Sequence, residues 1–188
     1  MKKDNWGASD FLYDYFCEFE GIRFRLVSDD LFLREIDFCK EKNLKASSGD
    51  AVSAPVKLML GYLEAYFRNG REQNYSVLFR HNGTDIMVLK AASSVASIVL
   101  DMEGYTEKEV AVYRELIKIK PGATISYGEL AAKCGVPGGA RFIGNTMAKN
   151  RFPVIIPCHR VVKSDGKMGN YSGGVDIKEK LLRHESIC

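Results

Sequence analysis

Near its C-terminal end the chain holds an apolar run between two prolines, Pro153-Val154-Ile155-Ile156-Pro157, followed at once by Cys158-His159-Arg160-Val161-Val162. A β-rich run of this length reads as a short buried strand. Pro157 has no N–H for a ladder bond, so pairing is expected to stop just before Cys158. The thiol then sits at a strand end between rigid neighbours, which suits a reactive group. A buried, inert cysteine is the competing reading.

Upstream, two capping boxes set the local frame. In Thr106-Glu107-Lys108-Glu109 the threonine caps a helix and Glu109 reaches back to it. That helix is expected to run to about Ile119, with Val110, Tyr113, Leu116 and Ile117 inward, and to stop at Pro121-Gly122. Ser126-Tyr127-Gly128-Glu129 is a second box, opening a short helix to about Cys134. Gly135 suits the C′ position, and Pro137 follows it. A further helix begins near Gly138-Gly139 and carries Arg141 in its first turn. Two short helices joined through glycine form a helix-turn-helix, whose recognition helix contacts bases with its first turn. A plain αα-hairpin has the same pattern.

The first half reads as α+β. Ile22, Phe24 and Leu26 alternate with Arg23 and Arg25, and Leu31–Phe38 completes a hairpin over 21–38. Residues 1–18 fit either a helical face or an extended segment, and 40–54 read as loop. Ala54-Pro55 opens a helix to about Phe67, with a stripe of Leu58, Leu60, Tyr62, Leu63 and Phe67. Tyr75–Phe79 and Asp85–Leu89 are strands about the tight-turn signal Asn82-Gly83, with His81 read as a surface histidine. Val95–Met102 is a further strand, and Gly104-Tyr105 reads as a hinge. The expected domains are therefore 1–103 and 104–188.

Charge separates these halves. Residues 1–102 carry 13 Lys and Arg against 15 Asp and Glu, whereas 118–167 carry 9 against 2. A basic block on a protein of net charge +3 is the footprint of a polyanion binder, or simply a solvated charged face. No apolar run approaches the ~20 residues of a membrane span, and the N-terminus lacks an apolar signal core. A cytoplasmic or nuclear protein is expected. Five widely spaced cysteines with no CxxC pair suggest neither a disulfide framework nor a zinc site.

Cys158 needs help to reach its thiolate near neutral pH. His159 is adjacent, but strand neighbours point to opposite faces, so a bend or a bridging water is required. Glu185, on a final helix expected over 177–186 and capped by Asp176, could orient His159 as the third member of a nucleophile–base–orienter relay. Between them, Gly169-Asn170-Tyr171-Ser172-Gly173-Gly174 lacks the spacing of a phosphate loop; its glycines would let backbone approach a flat ligand.

The Pro157-Cys158-His159-Arg160-Val161-Val162 stretch resembles the active-site motif of the O6-alkylguanine-DNA alkyltransferases, the methylated-DNA–protein-cysteine methyltransferases. The likeness runs in order through Ile125–Ala131, Ala140-Arg141-x-x-Gly144, Asn150, the cysteine motif, Gly169–Gly174 and Lys178–Glu185, nearly half the chain. It implies a ribonuclease-H-like N-terminal α+β domain with a small antiparallel sheet and a mainly helical, winged-helix-like C-terminal domain. It also implies repair by direct reversal, in which Cys158 takes the alkyl group from guanine O6, or O4-alkylthymine, and keeps it.

By the same resemblance, a water links Cys158 to His159, Glu185 holds His159, Asn150 fixes the active-site turn and Tyr127 donates a proton to the departing guanine. Val161, Tyr171, Ser172, Lys178, Met147 and Pro153 would form the substrate pocket. Arg141 would fill the gap left by a flipped nucleotide, with Tyr127, Ser126, Ala140 and Gly144 against DNA in the minor groove. The implied partner is double-stranded DNA carrying O6-alkylguanine, met by a monomer without membrane, metal or cofactor. The sequence departs from the family at Arg151, where proline is usual, at Phe142, where a small residue is usual, and at Tyr113, where tryptophan is common. The alternative is a DNA-binding regulator that senses alkylation lesions, which needs the helix-turn-helix but not the Pro-Cys-His-Arg motif.

Overall fold

A computed structural model describes residues 12–39, 52–69, 75–89 and 96–187. The first residues expected to be ambiguous form a strand where they are described: β1 (Tyr13–Phe19) opens an antiparallel meander with β2 (Ile22–Ser28) and β3 (Leu33–Phe38). The alternation in β2 does what its pattern requires, burying Ile22, Phe24 and Leu26. Helix α1 (Ala54–Asn69) follows and packs on the sheet. Its fully buried face is Val56, Met59, Leu63 and Tyr66 together with Tyr62, so Leu58, Leu60 and Phe67 flank the core. Most of the expected 40–54 loop lies outside the described residues.

The small sheet expected is present, and among the described residues its six strands are mixed rather than all antiparallel. β4 (Tyr75–His81) and β5 (Thr84–Leu89) form the hairpin about Asn82-Gly83, both residues with positive φ as such a two-residue turn demands. β6 (Ala96–Asp101) then returns between β4 and β3, parallel to both. His81 is not a surface residue. It is 7% exposed, and its Nε2 donates to the Tyr105 carbonyl.

Both capping boxes are formed. Thr106 caps α2 (Glu107–Leu116) and Ser126 caps α3 (Tyr127–Lys133), each with its glutamate reaching back. Gly135 takes positive φ after α3, and α4 (Ala140–Ala148) completes the helix-turn-helix. β7 (Ile125–Ser126) pairs in parallel with β8 (Val161–Val162), and a turn over 163–167 extends β8 like a small wing. The last helix, α5 (Val175–Ile187), starts two residues earlier than expected, so Asp176 lies inside its first turn rather than capping it. One hydrophobic core runs through the sheet, α1 and the C-terminal helices. Among the described residues no helix is long and apolar enough to cross a membrane.

Candidate active site

The proline-bounded run is not a strand. Residues 152–156 form a buried turn, with Ile156 N–H donating to the Phe152 carbonyl and Val154 at φ 75°. The left-handed region is costly for a β-branched residue, so the surroundings must enforce it. Asn150 does so from the end of α4. Its Oδ1 accepts from Phe152 N–H at 2.9 Å, and its Nδ2 donates to the Ile156 carbonyl at 2.9 Å. These bonds satisfy backbone groups that two prolines leave without a ladder. The remaining Nδ2 proton reaches Cys158 Sγ at 3.0 Å.

Cys158 opens a 3₁₀ turn, Cys158–Arg160, and is 4% exposed. Burial pushes its thiol pKa up, and the Asn150 amide and the nearby Lys178 ammonium counter only part of that. The resting group is therefore a thiol. The tight turn, rather than a strand pleat, carries His159 inward, completely buried.

His159 Nε2 lies 2.7 Å from Glu185 Oε1. The same carboxylate accepts from the Tyr66 hydroxyl at 2.7 Å, from Arg160 Nη2 at 2.7 Å and Nε at 2.9 Å, and from Gly122 N–H at 3.2 Å. Although burial works against ionisation, His159 and Arg160 hold its pKa well below the ordinary carboxylate range. Glu185 is thus ionised and Nε2 carries the proton given to it. Burial holds the His159 pKa down, aided by Arg160 and Lys178 and opposed by Glu185, so the ring is neutral at pH 7. A neutral imidazole protonated at Nε2 presents Nδ1 as a lone pair. Nδ1 is buried without a hydrogen-bond partner among the protein atoms.

The thiol forms part of the floor of an open cleft of about 810 Å³. Of the expected site residues, Tyr127, Ala140, Arg141, Gly144, Met147, Tyr171 and Ser172 line it with Cys158. His159, Glu185, Asn150, Pro153, Val161 and Lys178 do not; they form the support beneath and around the cysteine. Ser126 sits at the α3 N-cap beside Tyr127. The Val161 carbonyl accepts from the wholly buried Lys178 ammonium at 2.6 Å, which leaves one carbonyl lone pair. Tyr127 rests on Gly169, where a Cβ would stand 2.6 Å from its hydroxyl. Burial, then the neighbouring thiol, raises the Tyr127 pKa, so its proton is retained at neutral pH. The Tyr171 hydroxyl is buried close to Cys158 without a well-formed hydrogen bond.

A donor-held thiol, a buried imidazole–carboxylate pair and a helix-turn-helix on one cleft agree with a match found at the sequence level. Residues 107–187 match the family described as 6-O-methylguanine DNA methyltransferase, DNA binding domain. The chain belongs to this methylated-DNA–protein-cysteine methyltransferase family. A relative from Mus musculus is 37% identical over 139 residues, 73% of this chain and 58% of its own length. One from Methanothermobacter thermautotrophicus is 43% identical over 89 residues, 47% and 49% of the two chains. Both are called methylated-DNA–protein-cysteine methyltransferases, and the chain spans about half the length of such relatives. The fold is that of the Mycobacterium tuberculosis OGT solved in complex with DNA, with TM-score 0.63, 25% identity and 88% and 87% of the chains covered. It is also that of a methyltransferase from Pyrococcus kodakaraensis, with TM-score 0.59 and 23% identity over 93% and 99% of the chains.

The departures from the family pattern are accommodated by the fold. Arg151, unlike proline, has an N–H, which donates to the Tyr105 hydroxyl at 3.0 Å. Its guanidinium bonds the Asp101 and Glu103 carbonyls and lies 4.8 Å from the Tyr105 ring centroid, fastening the active-site turn to the end of β6. The Tyr113 hydroxyl donates to the Thr146 carbonyl at 2.6 Å, tying α2 to α4. Phe142 packs half-buried against the core. Sequence reasoning missed Arg160 and Tyr66 as partners of Glu185, and Asn145, Ala148, Lys163, Gly169 and Asn170 as cleft residues. Arg160 and the glycine stretch stood within quoted motifs; the sequence carries no signal that joins Tyr66 to Glu185 across 119 positions.

Proposed function

We propose that this protein repairs alkylated double-stranded DNA by direct reversal, moving the alkyl group from guanine O6 irreversibly onto Cys158. The observation that carries this reading is the Cys158 thiol in the cleft, held by Asn150 with the His159–Glu185 pair beneath it. Cys158 gives its proton to His159 Nδ1 through a bridging water, and the resulting thiolate attacks the alkyl carbon in line. The carbon–O6 bond breaks, its electron pair passes to the guanine, and the Tyr127 hydroxyl supplies a proton to that leaving base. Sulfur retains the alkyl group as a thioether, so each molecule acts once and the protein itself is the acceptor.

O6 inside a stacked duplex is closed to in-line attack, so the nucleotide must leave the stack. Arg141, exposed in the first turn of α4 at the cleft, fills the space it vacates, and flanking phosphates meet Tyr127, Ser126, Ala140 and Gly144 in the minor groove. Inside the cleft Met147, Tyr171 and Ser172 shape and hydrogen-bond the flipped base, with Pro153, Val161 and Lys178 supporting the pocket from behind. In this reading 1–103 is an α+β domain and 104–188 the DNA-binding, alkyl-accepting domain of a monomer acting in the cytoplasm, or in the nucleus of a eukaryote. The test is to incubate the protein with duplex DNA bearing one O6-methylguanine and map its peptides. A methyl on the Cys158 peptide supports the reading; an unmodified protein that still binds the duplex refutes it in favour of a lesion sensor.

A further inference from the structure

The carboxylate that orients His159 is held from outside the C-terminal half. Tyr66, on the inner face of α1, is fully buried and donates to Glu185 Oε1 at 2.7 Å, the same oxygen that meets His159 Nε2 at 2.7 Å. Its ring is fixed on both sides. Phe67 stands edge-on at 4.9 Å between centroids, and His184 lies at 5.3 Å while its Nε2 donates to the Tyr66 carbonyl. A tyrosine so confined has one position for its hydroxyl, and that position is the carboxylate.

We propose that Tyr66 is a positioning residue for alkyl transfer, by which the N-terminal half fixes Glu185 and sets how strongly Glu185 holds His159. The inference rests on the reading of Cys158, His159 and Glu185 as a relay. Oε1 also accepts from Arg160 Nη2 at 2.7 Å, and donors on one carboxylate oxygen share its charge, so each weakens the acceptance offered to the others. With the Tyr66 hydroxyl gone, Oε1 binds the His159 N–H more strongly and favours the imidazolium. The other charged and titratable neighbours are Arg160 on the 3₁₀ turn and Lys178 on α5, both disfavouring imidazolium, with Cys158 and Tyr171 on the cleft side and Tyr62 and His184 around Tyr66. None of these is altered by removing one hydroxyl. Neutral His159 is the form that accepts the thiol proton, so the acid limb of the transfer rate moves to higher pH when imidazolium is favoured.

The experiment compares wild type, Tyr66→Phe and a protein with a ring-fluorinated tyrosine at position 66, whose hydroxyl is the stronger donor. The His159 Nε2–H proton resonance reads the Glu185 bond directly and does not require transfer activity. It is expected downfield in Tyr66→Phe and upfield in the fluorinated protein. The acid limb of methyl transfer to Cys158 is expected about half a pH unit higher in Tyr66→Phe. An unmoved resonance and an unmoved limb in both variants, with only the melting temperature lowered, would make Tyr66 a packing residue and overturn the proposal. Should wild type itself transfer no methyl group, the functional reading fails, while the resonance still decides the role of Tyr66.

Discussion

Glu185→Gln isolates the buried carboxylate with little change of volume. Glu185 and the Arg160 guanidinium are both almost wholly buried, and the carboxylate's two oxygens face only donors: the Tyr66 hydroxyl, His159 Nε2, Arg160 and Gly122 N–H. An amide nitrogen placed at either oxygen position meets one of these donors, and Arg160 loses its counter-charge in a dry site. Removing one partner of such a pair costs about 3–5 kcal/mol. At about 2–4 °C per kcal/mol for a chain of this size, the melting temperature should fall by roughly 6–20 °C. The sign with pH is fixed. The folded carboxyl has a pKa depressed below its unfolded value, so its stabilisation is complete above the unfolded pKa and drains away as pH falls through the folded one. The gap between wild type and variant, measured by urea unfolding, should be constant from pH 7 to about 5 and narrow below about pH 4. Methyl transfer should slow by roughly a hundredfold as His159 loses its orienting partner. A loss under about 1 kcal/mol, or a gap that does not narrow in acid, would refute this account of the site.

Cys158→Ser should abolish methyl transfer while duplex binding in a gel-shift titration is unchanged, because only the nucleophile is lost. Arg141→Ala should slow repair of duplex DNA by about tenfold or more, since flipping costs a few kcal/mol, and leave reaction with free O6-alkylguanine base within about twofold. Gly169→Ala puts a methyl group 2.6 Å from the Tyr127 hydroxyl and 3.2 Å from two of its ring carbons. That tyrosine must shift, so transfer should slow by about tenfold in a single-turnover assay with a melting temperature close to wild type.

Local chemistry was the legible part of this chain. Thr106 with Glu109 and Ser126 with Glu129 each satisfy their partners within four residues, so spacing alone placed α2 and α3. Asn82-Gly83 fixed its hairpin for the same reason. The run 153–157 misled because apolar, β-branched composition signals burial, and burial does not require a strand. Its backbone groups are met by the Asn150 side chain, which hydropathy does not register. His81 was misplaced because a loop-edge histidine shows nothing in sequence of the Tyr105 carbonyl it meets. The order of β6 between β3 and β4, and the reach of Tyr66 to Glu185, depend on packing between distant segments. The cysteine motif and the residues named with it converge on one cleft and its support, because each motif spans the few positions that a turn or helix end brings together.

The central claim is that Cys158 is consumed as the acceptor. The direct measurement is a titration of the protein with rising amounts of O6-methylguanine duplex, followed by intact mass and by the guanine restored in the DNA. The account predicts one methyl group per protein molecule, located on Cys158, an equal amount of restored guanine, and no further repair at any excess of lesion. Repair beyond one lesion per molecule, or restored guanine with an unmethylated Cys158, would contradict it.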